Sequence, residues 1–157
     1  MKKIIFSLVM TMMGLCANAQ LPRVFLGFTL GETPKEQVLE KLKKKGVEIM
    51  EDGGLMLKNQ KYDKVTWDYV YLGFDDNKLF KVLFSVDSSL HSSSLLDAIL
   101  EKAGSTLRIQ YGDYVIENET DRVSVGDPFC YGELTDVTDS NGRRIHLVFY
   151  DRLKYTE

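Results

Sequence analysis

The sequence predicts an α+β fold: two tandem units, each a helix followed by four strands, forming a mostly antiparallel sheet with both helices packed on one of its faces. Two observations carry this. The helix-ending glycines Gly46 and Gly112 stand 66 residues apart and the turn residues Asn77 and Asn141 stand 64 apart, a near-constant offset that marks a duplicated unit. Apolar residues recur at helical spacing in only two stretches, and the remainder alternates between turn-forming clusters, which favours hairpins over parallel crossovers.

The chain opens with Lys2 and Lys3, an apolar run over residues 4–15 and then Ala17-Asn18-Ala19-Gln20. A basic start, a short apolar core and an A-x-A site make a secretory leader. The run is shorter than the ~20 residues of a membrane span, and no comparable run follows. Residues 1–19 are therefore expected to be a signal peptide cleaved after Ala19, and residues 20–157 a single periplasmic or secreted domain whose repeat units cover 24–87 and 88–157. A lipid anchor on Cys16 is the alternative; the large Leu15 before it disfavours lipoprotein processing, whereas Ala17 and Ala19 suit ordinary signal peptidase. With Cys16 gone, Cys130 is the one remaining cysteine, and an internal disulfide is ruled out. Its setting, Phe129-Cys130-Tyr131-Gly132, suits a small buried hydrophobe.

The first helix is announced by Thr33 as a cap, Pro34 in the first turn, Glu36 closing a capping box and Gly46 as the stop, with Val38, Leu39 and Leu42 as its buried stripe. Strands are predicted over 47–50 and 55–57, separated by Glu51-Asp52-Gly53-Gly54. A long strand over 65–74 then turns through Asp75-Asp76-Asn77 into another over 79–86. The second helix carries Leu95, Ile99, Ala103, Leu107 and Tyr111 on one face and stops at Gly112. Strands over 114–116, 122–125 and 129–138 follow, and Asp139-Ser140-Asn141-Gly142 leads into the last, over 144–150.

Charge narrows the partners. The whole chain carries 20 basic and 23 acidic residues, net −3; losing Lys2 and Lys3 leaves 18 against 23, net −5, on 138 residues. A chain of that length buries about two-thirds of its unfolded surface without a metal or disulfide. A mildly acidic protein is a poor nucleic-acid binder. The basic cluster Lys41, Lys43, Lys44 and Lys45 sits where it complements the negative end of the first helix.

The stretch Phe28-Thr29-Leu30-Gly31-Glu32-Thr33-Pro34-Lys35-Glu36-Gln37-Val38, followed by Leu42 and Gly46, resembles the start of a repeat found in two related groups. One is the beta-lactamase-inhibitor-protein-like (BLIP-like) group, whose tandem helix-plus-strands units form one curved sheet that grips a partner protein on its open face. The other is the SmpA/BamE-type small envelope lipoproteins, which carry one such unit. The resemblance spans most of residues 24–150 in architecture and implies a curved sheet with an open binding face.

Strand alternation locates that face. On the long strand Val70, Leu72 and Phe74 share one side and Trp67, Tyr69 and Tyr71 the other; on its partner Phe80, Val82, Phe84 and Val86 oppose Lys81, Leu83 and Ser85. The apolar set is assigned to the core. Trp67, Tyr69 and Tyr71, with Lys81 beside them, become the candidate binding strip, because aromatic side chains with polar tips dominate protein interfaces. Two alternatives stand beside it: Trp67 packs under residues 59–64 as an ordinary strand former, or a homodimer buries the strip against itself.

Catalysis and metal binding find little support. Asp87, Ser88, Ser89, His91 and Ser92-Ser93-Ser94 contain triad residue types, yet they share one linker, where Ser and Asp serve a helix start. His146 has no ligand partner at suitable spacing. The acidic turns at Asp75-Asp76-Asn77 and Asp139-Ser140-Asn141-Gly142 suggest calcium, but Val137 stands at the first ligand position of the second. No cofactor is expected. The leading expectation is an exported, non-enzymatic protein- or peptide-binding module, an inhibitor being one form of it, with its partner unidentified. A structural accessory of the envelope is second, and a hydrolase a distant third.

Overall fold

The computed structural model describes residues 20–51 and 53–154; the expected signal peptide, with Cys16, lies outside the described residues. The elements are β1 (Val24–Phe25), β2 (Phe28–Thr29), α1 (Lys35–Lys44), β3 (Ile49–Glu51), β4 (Leu55–Tyr62), β5 (Val65–Asp75), β6 (Lys78–Asp87), α2 (Ser93–Gln110), β7 (Val115–Asn118), β8 (Arg122–Gly126), β9 (Cys130–Asp139) and β10 (Gly142–Asp151). The fold is α+β, as expected. Strands β3 to β10 form one open antiparallel sheet in the order β3-β4-β5-β6-β10-β9-β8-β7, while β1 and β2 make a separate two-stranded ribbon. The seam at the centre joins β6 to β10, with Phe84 opposite Leu147 and Val82 opposite Phe149.

Helix α1 starts one step later than its sequence suggests. Pro34 is its N-cap, without a side-chain cap bond, because the chain there is still extended and bridges Lys78 on β6. Thr33 and Glu36 are accordingly engaged elsewhere: the Thr33 hydroxyl accepts from the Thr29 N–H at 2.8 Å, and the Glu36 carboxylate accepts from the Asn77 side-chain amide at 2.8 Å. The expected capping box is thus replaced by contacts to the strand before the helix and to the β5–β6 turn. The stop is as expected: Gly46 has φ +67°, which a residue without Cβ adopts freely, and its N–H returns to the Lys43 carbonyl.

Ser92 caps α2, its hydroxyl accepting from the Leu95 N–H at 3.4 Å. The buried stripe is Leu96, Ile99, Ala103 and Leu107, and Leu95, expected inside, is 44% exposed. Each four-residue step overshoots a full turn by about 40°, so a stripe extrapolated back from Leu107 drifts off the core face by Leu95. Tyr111 is buried beyond the last helical residue, and Gly112 opens a single 3₁₀ turn rather than ending the helix.

One core joins these parts. Its strand side is two rows that run across the paired strands: Leu57, Val70, Phe84, Leu147, Leu134 and Val123, then Leu55, Leu72, Val82, Phe149 and Val125. Val38 and Leu42 of α1 and the stripe of α2 belong to the same buried cluster. The β1–β2 ribbon, which the sequence did not announce, adds Phe25 and Phe28; the Phe25 ring lies 4.6 Å from Phe149 and 6.3 Å from Phe84, over the central seam.

The alternation of β4 and β5 slips at one place. Leu55 and Leu57 face the core at one end of β4, and Val70 and Leu72 do so on β5; beyond the slip the core residues are Val65 and Trp67, opposite Tyr62 and Gln60. Asn59, with φ +53°, and Asp68 drop out of the ladder between the Lys58–Tyr69 and Gln60–Trp67 pairs. Side chains swap faces across such an irregularity. The buried Asp68 carboxylate repairs the gap by accepting from the Asp87 N–H at 3.1 Å, where the β5–β6 ladder has already ended at Tyr69. Residues 59–64, under which the alternative packs Trp67, are the end of β4 and a tight turn in which Asp63 and Lys64 both have positive φ.

Candidate functional site

Opposite the core, the sheet presents alternate side chains that are half-exposed: Tyr69, Tyr71, Lys81, Tyr131, Glu133, His146 and Tyr150 among them. Tyr69, Tyr71 and Lys81 of the expected strip are here. Trp67 is not: it is 1% exposed, its ring 5.7 Å from Phe84 and its indole N–H donating to the Tyr62 carbonyl at 3.3 Å. The slip at Asn59 and Asp68 carries it to the other face, and the alternative in which it packs beside residues 59–64 is the one observed.

Pairing extends the strip across the seam. Gly73 pairs Lys81, Lys81 pairs Tyr150, and Tyr150 pairs Tyr131, so residues of four adjacent strands fall in one row. The Lys81 ammonium sits 5.3 Å from the centre of the Tyr150 ring and 6.0 Å from that of Tyr71, a cation held between two aromatic rings. Tyr131 lies 6.4 Å from Tyr150, and its hydroxyl donates to Glu133 at 2.6 Å. Burial and this bond to a carboxylate raise the Tyr131 phenol above its ordinary range, so it stays a donor. Arg122, on β8, reaches the same patch through Glu133, 2.9 Å from it and 3.0 Å from Glu117, and these carboxylates secure its charge.

Two glycines make room for Tyr71. A Cβ on Gly54 would lie 2.6 Å from the Tyr71 ring and 2.5 Å from the Leu72 carbonyl oxygen, and one on Gly73 would lie 3.3 Å from the same ring. The ring therefore lies across bare backbone, which fixes it against the sheet. The strip combines large apolar area, phenolic tips and an ordered positive charge, features suited to a polypeptide surface. Sequence reasoning missed Tyr131, Tyr150, Glu133 and Arg122. Alternation applied to β9 and β10 would have put both tyrosines on one face, but that β10 lies beside β6 is a long-range pairing no local pattern displays.

The triad residue types do not converge. His91 Nε2 lies 2.7 Å from Asp68 and hydrogen-bonds none of the linker serines. Ser88 accepts from the Arg143 N–H at 3.0 Å, and Ser92 and Ser94 lie 3.1 Å apart at the start of α2. The acidic turns hold cations of the chain itself: Lys154 bonds Asp75 at 2.9 Å and Asp76 at 2.6 Å, and Arg144 pairs with Asp139. Among the described residues no group of three histidine, cysteine or acidic side chains could hold a metal ion. Nor is any described helix long and apolar enough to cross a membrane. Cys130 is buried, and burial pushes its thiol up to about 12.

Compared with protein-family models, with curated proteins and with solved structures, the chain matches none.

Proposed function

We propose that this chain is an exported, non-enzymatic module that binds a protein or peptide on the open face of its sheet. The observation that carries this is the cluster Tyr71, Lys81, Tyr150 and Tyr131, in which a lysine is held between two rings on a half-exposed face. Pre-ordered aromatic side chains lose little rotamer freedom on binding, and a positive centre among them selects an acidic or carbonyl-rich partner surface. Export rests on the leader pattern of residues 1–19. An inhibitor role is the form that the BLIP-like resemblance implies.

Two tandem units, residues 24–87 and 88–157, on one curved sheet are part of the same proposal. A helix followed by four strands occurs twice in chain order, and the strand order mirrors itself about the β6–β10 seam, which supports a duplication. The test is affinity capture from envelope extract with the chain and with a Tyr71→Ala, Tyr150→Ala variant whose circular dichroism is unchanged. A partner retained by the first and lost by the second supports the sheet face as the binding surface. Equal retention by both, or no specific retention by either, removes it.

A further inference from the structure

On the core side of the sheet, between the second half of α2 and the β4–β5 hairpin, lies a cavity of about 230 Å³. Four aromatic residues line it: Tyr62, Trp67, Tyr111 and Phe149. Trp67 and Phe149 are almost wholly buried, while Asp63 and Gln110, which also line it, are exposed, so the floor is aromatic and the mouth polar. No lysine, arginine or histidine is among its lining residues, and Asp63 brings its one charge. That charge is felt inside: burial first, with Asp63 among the other causes, raises the Tyr62 and Tyr111 phenols above their ordinary range, and no cation opposes it at either group. Lys102, on the neighbouring turn of α2, donates its ammonium to the Lys64 carbonyl at 2.9 Å.

Aromatic rings carry negative faces, and a set of them beside a carboxylate, with no competing base, is the chemistry that receives an alkylated ammonium ion. Such an ion has no strong hydrogen bonds to lose on leaving water, so a mostly apolar wall does not penalise it as it would a primary amine. The volume equals roughly eight waters at ~30 Å³ each, which admits a compact cationic head with a short tail. We propose that this cavity binds a small quaternary ammonium compound, its head among Tyr62, Trp67, Tyr111 and Phe149 and its charge balanced by Asp63. The site lies on the opposite face of the sheet from the tyrosine strip and does not depend on it.

Trp67 is the only tryptophan of the chain, so its fluorescence reads the cavity wall directly. The full chain is titrated with choline, with tetramethylammonium and with 3,3-dimethylbutan-1-ol, the uncharged isostere of choline, and the choline series is repeated on Asp63→Asn. Asparagine tolerates the positive φ at this turn, so the variant keeps the hairpin. Expected are saturable changes with both cations, none with the alcohol, and about tenfold weaker choline binding by Asp63→Asn. No saturable change with either cation overturns the proposal. An equal response to the alcohol, or choline binding unchanged in Asp63→Asn, overturns the assignment to a cation.

Discussion

At the scale of single residues, Trp67 and His146 make the most decisive cases. At 1% exposure, and lining a cavity whose one charge is the Asp63 carboxylate, Trp67 should resist the anionic quencher iodide in the folded chain, and iodide quenching like that of free tryptophan would contradict its place beside Phe84. Trp67→Ala empties a packed site and should cost about 3–5 kcal/mol in urea denaturation. His146 is half-buried on the open face; burial first, then Arg144 and Lys81, depress its imidazole below the ordinary range. The folded chain therefore takes up the proton less readily than the unfolded one. Stability from this group is complete above the ordinary histidine value of about 6.5 and falls as pH drops from there toward the depressed folded value. Urea midpoints measured at about pH 7.5 and about pH 5.5 should differ more in the parent chain than in His146→Gln.

At the scale of elements, α2 offers an internal control. Leu96→Ala removes a wholly buried side chain and should cost about 2–5 kcal/mol, whereas Leu95→Ala, at a position 44% exposed, should cost under about 1 kcal/mol. Comparable losses would mean that the helix is rotated from its described face. Gly54→Ala drives a methyl into the Tyr71 ring and the Leu72 carbonyl, and should destabilise by about 1–3 kcal/mol, read as a lower melting temperature. Much of the element order was legible, because hairpin turns such as Asp76–Asn77 and stops such as Gly46 carry their chemistry locally. What was not legible has a common cause. The face swap at Asn59 and Asp68, the diversion of Thr33 and Glu36 from capping, and the completion of the tyrosine strip by β9 and β10 all depend on partners distant in sequence. Alternation assumes an unbroken ladder, and one slip was enough to move Trp67 out of the strip while leaving Tyr69, Tyr71 and Lys81 in it.

At the scale of the molecule, the β6–β10 seam binds the two halves of the sheet into one object, with Val86 against Ile145, Phe84 against Leu147 and Val82 against Phe149. Phe25 covers the seam, touching both sides of it. Residues 20–87 and 88–157 expressed separately would each leave a long apolar edge and half a core, so neither should fold alone, while mixing them should restore native circular dichroism. A cooperative unfolding transition in either half by itself would show instead that each is self-sufficient. The seam also sets a timetable. Its second strand is the last of the sheet in chain order, so a ribosome must have released Tyr150 before the middle of the sheet can close, and until then β6 and β9 each lack a neighbour on one edge. Long-range closure of this kind is slow. A chain so arranged holds off its final collapse until β10 has been made.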